Sequence, residues 1–123
     1  MAKTNQSNVF IRKGEVFFLN GALIKAHDSF GMEIMASDTF LLPSQIVSEA
    51  TSKSNLQKAY YYAQQMMIEP EKKDIWQKSL DNCIASLPSN TQKKIWRACK
   101  ENDLQKTICT IRVELKKEAA LLN

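Results

Sequence analysis

A chain of 123 residues holds enough material for one hydrophobic core and too little for two independent ones. Its apolar fraction of 44% and charged fraction of 24% are those of a soluble globular protein, and no run approaches the ~20 apolar residues of a membrane span. The formal charge of +4 is unevenly spread: residues 31–51 hold Glu33, Asp38 and Glu49 with no Lys or Arg, whereas residues 52–100 hold nine basic side chains against four acidic ones.

The polar start Met1–Ser7 lacks the apolar stretch of a secretion signal, so a cytoplasmic location without membrane contact is expected. Strand one is predicted over Val9–Arg12, strand two over Glu15–Leu19 and strand three over Ala22–Ala26. Lys13-Gly14 and Asn20-Gly21 supply the two turns; Asn-Gly between β-prone runs predicts a type I′ hairpin, which needs φ > 0 at both central residues. His27, Asp28 and Ser29 turn the chain into strand four, Phe30–Ala36, with Phe30, Met32 and Ile34 on one face and Gly31, Glu33 and Met35 on the other. Ser37 and Asp38 lead into strand five, Thr39–Leu42, which Pro43 stops.

The polar stretch Ser48–Ser54 is the only candidate boundary, and beyond it the hydrophobic period changes from 2 to 3.6. Ser54 and Gln57 have capping-box spacing and start a helix over about 55–68 with the stripe Leu56, Tyr60, Ala63, Met67. Pro70 opens a second helix whose apolar face is Trp76, Leu80, Cys83 and Leu87, and Pro88 ends it. Ser89 and Gln92 repeat the capping-box spacing for a third helix to about Lys100, and Asn102 or Asp103 caps a fourth with the stripe Leu104, Ile108, Ile111, Leu115, Leu122. The fold class expected is α+β: an N-terminal five-stranded antiparallel β-meander (about 8–47) packed with a C-terminal four-helix segment (about 52–122) in a single domain over 1–123.

Lys13-Gly14-Glu15, Asn20-Gly21-Ala22, Tyr60-x-x-x-Gln64-x-Met66-x-x-x-Pro70, and Arg112 with Glu118-Ala119, in that order, resemble the FlbT family of flagellar regulators from about Phe10 to Leu122. The resemblance implies a post-transcriptional regulator that associates with the 5′ untranslated region of flagellin mRNA, promotes its decay and opposes the partner protein FlaF. The resemblance thus implies a repressor in the first place, while some members of the family activate flagellin expression, so the sign of regulation is not carried over. The family often has an Asn-x-Asp-Arg-Arg-like turn where this chain reads Ala26, His27, Asp28, Ser29, Phe30, and an Arg where it has Leu42, so Asp28 matches and the arginines are absent. No RNA-contact residues are carried over from the family.

Catalysis is not expected. His27 stands alone without a nucleophile at motif spacing, there is no metal-binding His pair or phosphate loop, and Glu69 and Glu71 around Pro70 complement a helix start. Cys83, Cys99 and Cys109, odd in number, are expected as free thiols, and no cofactor or metal is implied.

RNA requires cations for phosphate and flat side chains for unstacked bases. Lys93, Arg97 and Lys100 fall at i, i+4 and i+7 opposite Ile95 and Cys99, with Lys94 to one side, forming either a phosphate track or an ordinary solvated helix face. Arg12 and Lys13 at the first turn, with Lys25 across the hairpin, are a second candidate, and Arg112, Lys116 and Lys117 a third, although Glu114 and Glu118 offer Arg112 ion pairs. Of Tyr60, Tyr61 and Tyr62, the helical wheel leaves Tyr61 for a base or partner. Gln64 is expected to satisfy backbone groups beside the helix and Asn20 to serve its turn. Strand two has apolar residues on both faces, so Val16 and Phe18 are candidates for a protein interface: a homo-oligomer through the β layer, or docking of FlaF or flagellin.

Overall fold

The computed structural model describes residues 7–37 and 39–122. Two compact units divide at Ile46–Val47, just before the stretch expected as a boundary.

The first unit contains β1 (Ser7–Ile11), β2 (Val16–Leu19), β3 (Ala22–Lys25), β4 (Phe30–Ile34) and β5 (Phe40–Leu41). The Asn20-Gly21 hairpin forms as expected, with φ of 44° and 90° and Leu19 opposite Ala22. The strands do not make one meander. β1 pairs antiparallel with β4, Val9 opposite Met32, whereas β3, β2 and β5 form a separate three-stranded sheet in that order. The departure begins at Gly14, whose φ is 89°. There the Arg12 N–H donates to the Glu15 carboxylate at 2.7 Å and the Gly14 N–H to the Ala26 carbonyl at 2.8 Å, and the edge of β2 that a meander would give to β1 is taken by β5. With two sheets, Ile11, Phe17 and Ala26 share a core packed by Val9, Leu19, Ile24 and Met32.

This arrangement corrects the expectation for Val16 and Phe18. Phe18 lies opposite Leu41 in the β2–β5 register and is only 2% exposed, and Val16 is half-buried, so neither offers the open apolar surface expected of them. The large apolar side chains that do reach solvent are Phe10 (60% exposed), Leu23 (56%), Met35 (70%) and, less so, Phe30. Asn20 serves its turn: its side-chain oxygen accepts from the Thr39 N–H and the Ser37 hydroxyl. Of the expected Ser37–Asp38 turn, Asp38 lies outside the described residues.

The second unit contains α1 (Asn55–Ile68), α2 (Lys73–Ala85), α3 (Ser89–Lys100) and α4 (Leu104–Leu122). α1 packs against both α2 and α4, and α3 packs chiefly against α4. The Ser54–Gln57 capping box forms with both reciprocal bonds, at 3.1 and 3.0 Å. The second expected box does not form. Pro88 occupies the position before α3, Ser89 is already helical, and Gln92 instead donates its side-chain amide to the last carbonyls of α2, Ile84 and Ala85. The buried face of α2 runs through Leu80 and Ile84 instead of Cys83, which is half-buried. Asn102, at φ 56°, ends α3, and Asp103 caps α4 through its carboxylate and the Lys106 N–H at 3.0 Å. Ile108 and Ile111 are fully buried; the side chain of Leu122 is outside the described residues.

Candidate functional site

The α3 helix is set by its apolar positions: Ile95 and Ala98 are buried against the helical core. Lys93, Arg97 and Lys100 consequently face solvent on the opposite side, as the 3.6-residue period requires. Lys94 is also exposed but turns toward α4, where its Nζ lies 3.7 Å from Glu114 Oε2. Lys117 Nζ approaches the same oxygen at 3.2 Å. Glu114 is a nearly buried carboxylate answered by two lysines.

A groove of about 390 Å³ runs between α3 and α4 over Ala98 and Val113, rimmed by Lys94, Arg97, Lys106 and Lys117 with Glu101 and Glu114 among them. Four cations against two carboxylates leave it positive. Lys106 was not singled out from the sequence, although Lys106, Thr110, Val113 and Lys117 recur at helical spacing on one face of α4. Its Nζ also contacts Glu101 at 2.6 Å.

The structure does not unite the other predicted residues with this patch. Arg12, Lys13 and Lys25 are exposed in the β unit, and the 2.8 Å bond from Gly14 to Ala26 brings the first turn beside the end of β3, as expected for Lys25. Tyr61 is half-buried with its ring edge-on to Trp76 at 6.1 Å, and Tyr62 stacks on Trp76 at 5.9 Å. The Trp76 indole N–H donates to Glu69, so Tyr61 belongs to an α1–α2 aromatic cluster instead of standing open on a polar face. Arg112 donates to the Tyr60 hydroxyl at 3.1 Å with its guanidinium 5.7 Å from the ring centroid, a structural use in place of the expected acidic partners. Burial pushes the Tyr60 phenol up, and the Arg112 hydrogen bond opposes that shift. Glu118 accepts from the Ser54 hydroxyl.

Gln64 is buried and fastens the segment before α1: its carbonyl accepts from the Val47 N–H at 2.7 Å and its amide donates to the Val47 carbonyl at 2.9 Å. All three cysteines are free thiols. Burial pushes the Cys83 and Cys99 thiols up, opposed at Cys99 by a hydrogen bond with Thr107. Among the described residues no group of three or more His, Cys, Asp or Glu side chains converges on a metal site, and no helix is long and apolar enough to cross a membrane.

A family model described as "Flagellar protein FlbT" matches residues 8–120. Proteins from Brucella ovis, Brucella anthropi and Brucella melitensis, each named "Probable flagellum biosynthesis repressor protein FlbT", are 35% identical to the chain over 60 residues. That stretch is 49% of this chain and 40% of each relative, so the match spans less than half of the curated proteins' length. No solved structure matches the chain.

Proposed function

Because the chain belongs to the FlbT family, we propose that it is a post-transcriptional regulator of flagellum biogenesis, acting in the cytoplasm as one FlbT-like domain. It binds the 5′ untranslated region of flagellin mRNA and represses flagellin synthesis by promoting decay of the message. The role is regulatory, not catalytic. Repression is favoured by the name that the Brucella relatives carry. The observation that carries the RNA reading is the exposed row Lys93, Arg97, Lys100, continued by Lys94 and the groove beside it. Cations concentrated on one rigid helix supply the sequence-independent part of RNA affinity, with its strong salt dependence.

The test is binding of the purified chain to a labelled 5′ leader of its own flagellin mRNA at low and moderate salt, with an unrelated RNA of equal length as competitor. Tight binding that salt weakens, the competitor fails to displace, and Lys93→Glu with Arg97→Glu abolishes is the expected result. The neutral pair Lys93→Gln with Arg97→Gln, which removes two phosphate contacts without adding repulsion, should weaken binding and flatten the salt slope by about 2. Absence of binding by the folded wild-type protein overturns direct RNA recognition.

A second reading rests on Phe10, Leu23 and Met35, apolar side chains that the β unit leaves exposed. In it the chain binds FlaF or flagellin, or a second copy of itself through the β layer, and affects the message indirectly. Such association persists at salt concentrations that remove RNA, and Phe10→Ser weakens it.

A further inference from the structure

The two tryptophans of the chain have different surroundings. Trp76 stacks on Tyr62, meets Tyr61 edge-on and donates its indole N–H to Glu69, so ring and polar atom are both used within the fold. Trp96 is half-buried: among the described residues no aromatic ring packs on it, and its indole N–H reaches solvent. In sequence Trp96 sits within Lys93-Lys94-Ile95-Trp96-Arg97, and on the helix it lies about 100° from Ile95, at the margin between the buried face and the basic one. Lys93 and Lys100 are its i−3 and i+4 neighbours, one turn to either side and about 10 Å apart along the axis, and both are exposed.

From this placement we propose that α3 is a single-strand RNA site in which Trp96 stacks an unpaired base while Lys93 and Lys100 hold the phosphates flanking it. The inference rests on the RNA reading above and narrows it to unpaired segments of the leader. A flat ring bracketed by cations suits a splayed base with its backbone, whereas bases inside a duplex offer no free face. Arg97 and the α3–α4 groove, with Lys94, Lys106 and Lys117 on its rim, lie on the other flank of the basic face and carry the strand's continuing backbone.

The experiment uses the full chain with Trp76→Phe, which leaves Trp96 as its only tryptophan reporter. An unpaired segment of the flagellin leader should quench the fluorescence, and the same segment annealed to its complement should quench it little and bind more weakly. In an otherwise wild-type chain, Trp96→Leu should weaken single-strand binding about 5- to 150-fold, the loss of one stacked base, and Trp96→Phe should restore most of it. Binding without a fluorescence change, duplex bound as well as single strand, or Trp96→Leu binding like the wild type each overturns the stacking site while leaving RNA binding in place. No RNA binding by the wild type overturns the underlying reading and the site with it. Circular dichroism separates a folding defect in Trp96→Leu from lost stacking, and the quenching and Trp96→Phe measurements decide the question if that variant is unfolded.

Discussion

In the β unit, β1, β2 and β3 carry apolar side chains on both faces; two small sheets share a core, yet Phe10 and Leu23 stay outside it. In the helical unit each of α1 to α4 turns an apolar stripe inward, and from Lys93 onward the exposed residues of α3, Lys93, Lys94, Arg97 and Lys100, are all cationic. The difference follows from period. A strand alternates every residue and needs cover on both sides if both are apolar, whereas a helix sorts its residues into a core face and a solvent face by itself. The two units therefore present different chemistries, apolar on one and positive on the other, which salt distinguishes.

The comparison breaks most visibly in the helical core. Ile108→Ala should destabilise the helical unit by about 2–5 kcal/mol, read from urea unfolding, whereas Leu23→Ser on the open face of β3 should change stability by less than about 0.5 kcal/mol. A large loss from Leu23→Ser would mean that this face is not free. Next in size is Gln64→Ala, which leaves the Val47 N–H and carbonyl without their side-chain partners and should cost about 1–3 kcal/mol. Ser54→Ala removes the α1 cap and the bond to Glu118 and should cost about 1 kcal/mol.

The smallest effect concerns the thiols. Burial raises the values of Cys83 and Cys99, so at neutral pH less thiolate is available there than at an unburied thiol. Maleimide should modify the exposed Cys109 first, and the rate at Cys83 and Cys99 should keep rising as pH is raised past the ordinary thiol value. Equal rates at all three by mass spectrometry would contradict the burial assigned to this unit.

The helices were legible because their signals are local. Ser54 and Gln57, Pro70, Pro88 and Asp103 punctuate the chain within a few residues of where each helix begins or ends, and α1 spans the residues its stripe predicted. The Asn20-Gly21 hairpin was legible for the same reason, since its positive φ values are a property of two residues. Strand pairing was not, because β1 and β4 are joined by backbone bonds between segments about twenty residues apart, and a pairing at that separation leaves no mark on either strand alone. The same holds at the site. The sequence alone determined that Lys93, Arg97 and Lys100 share a helix face, because 3.6 residues per turn suffices to say so. Tertiary packing decided that Lys117 meets Lys94 across Glu114, that Tyr61 is engaged by Trp76, and that Phe18 is core, because each depends on which element lies alongside and at what register.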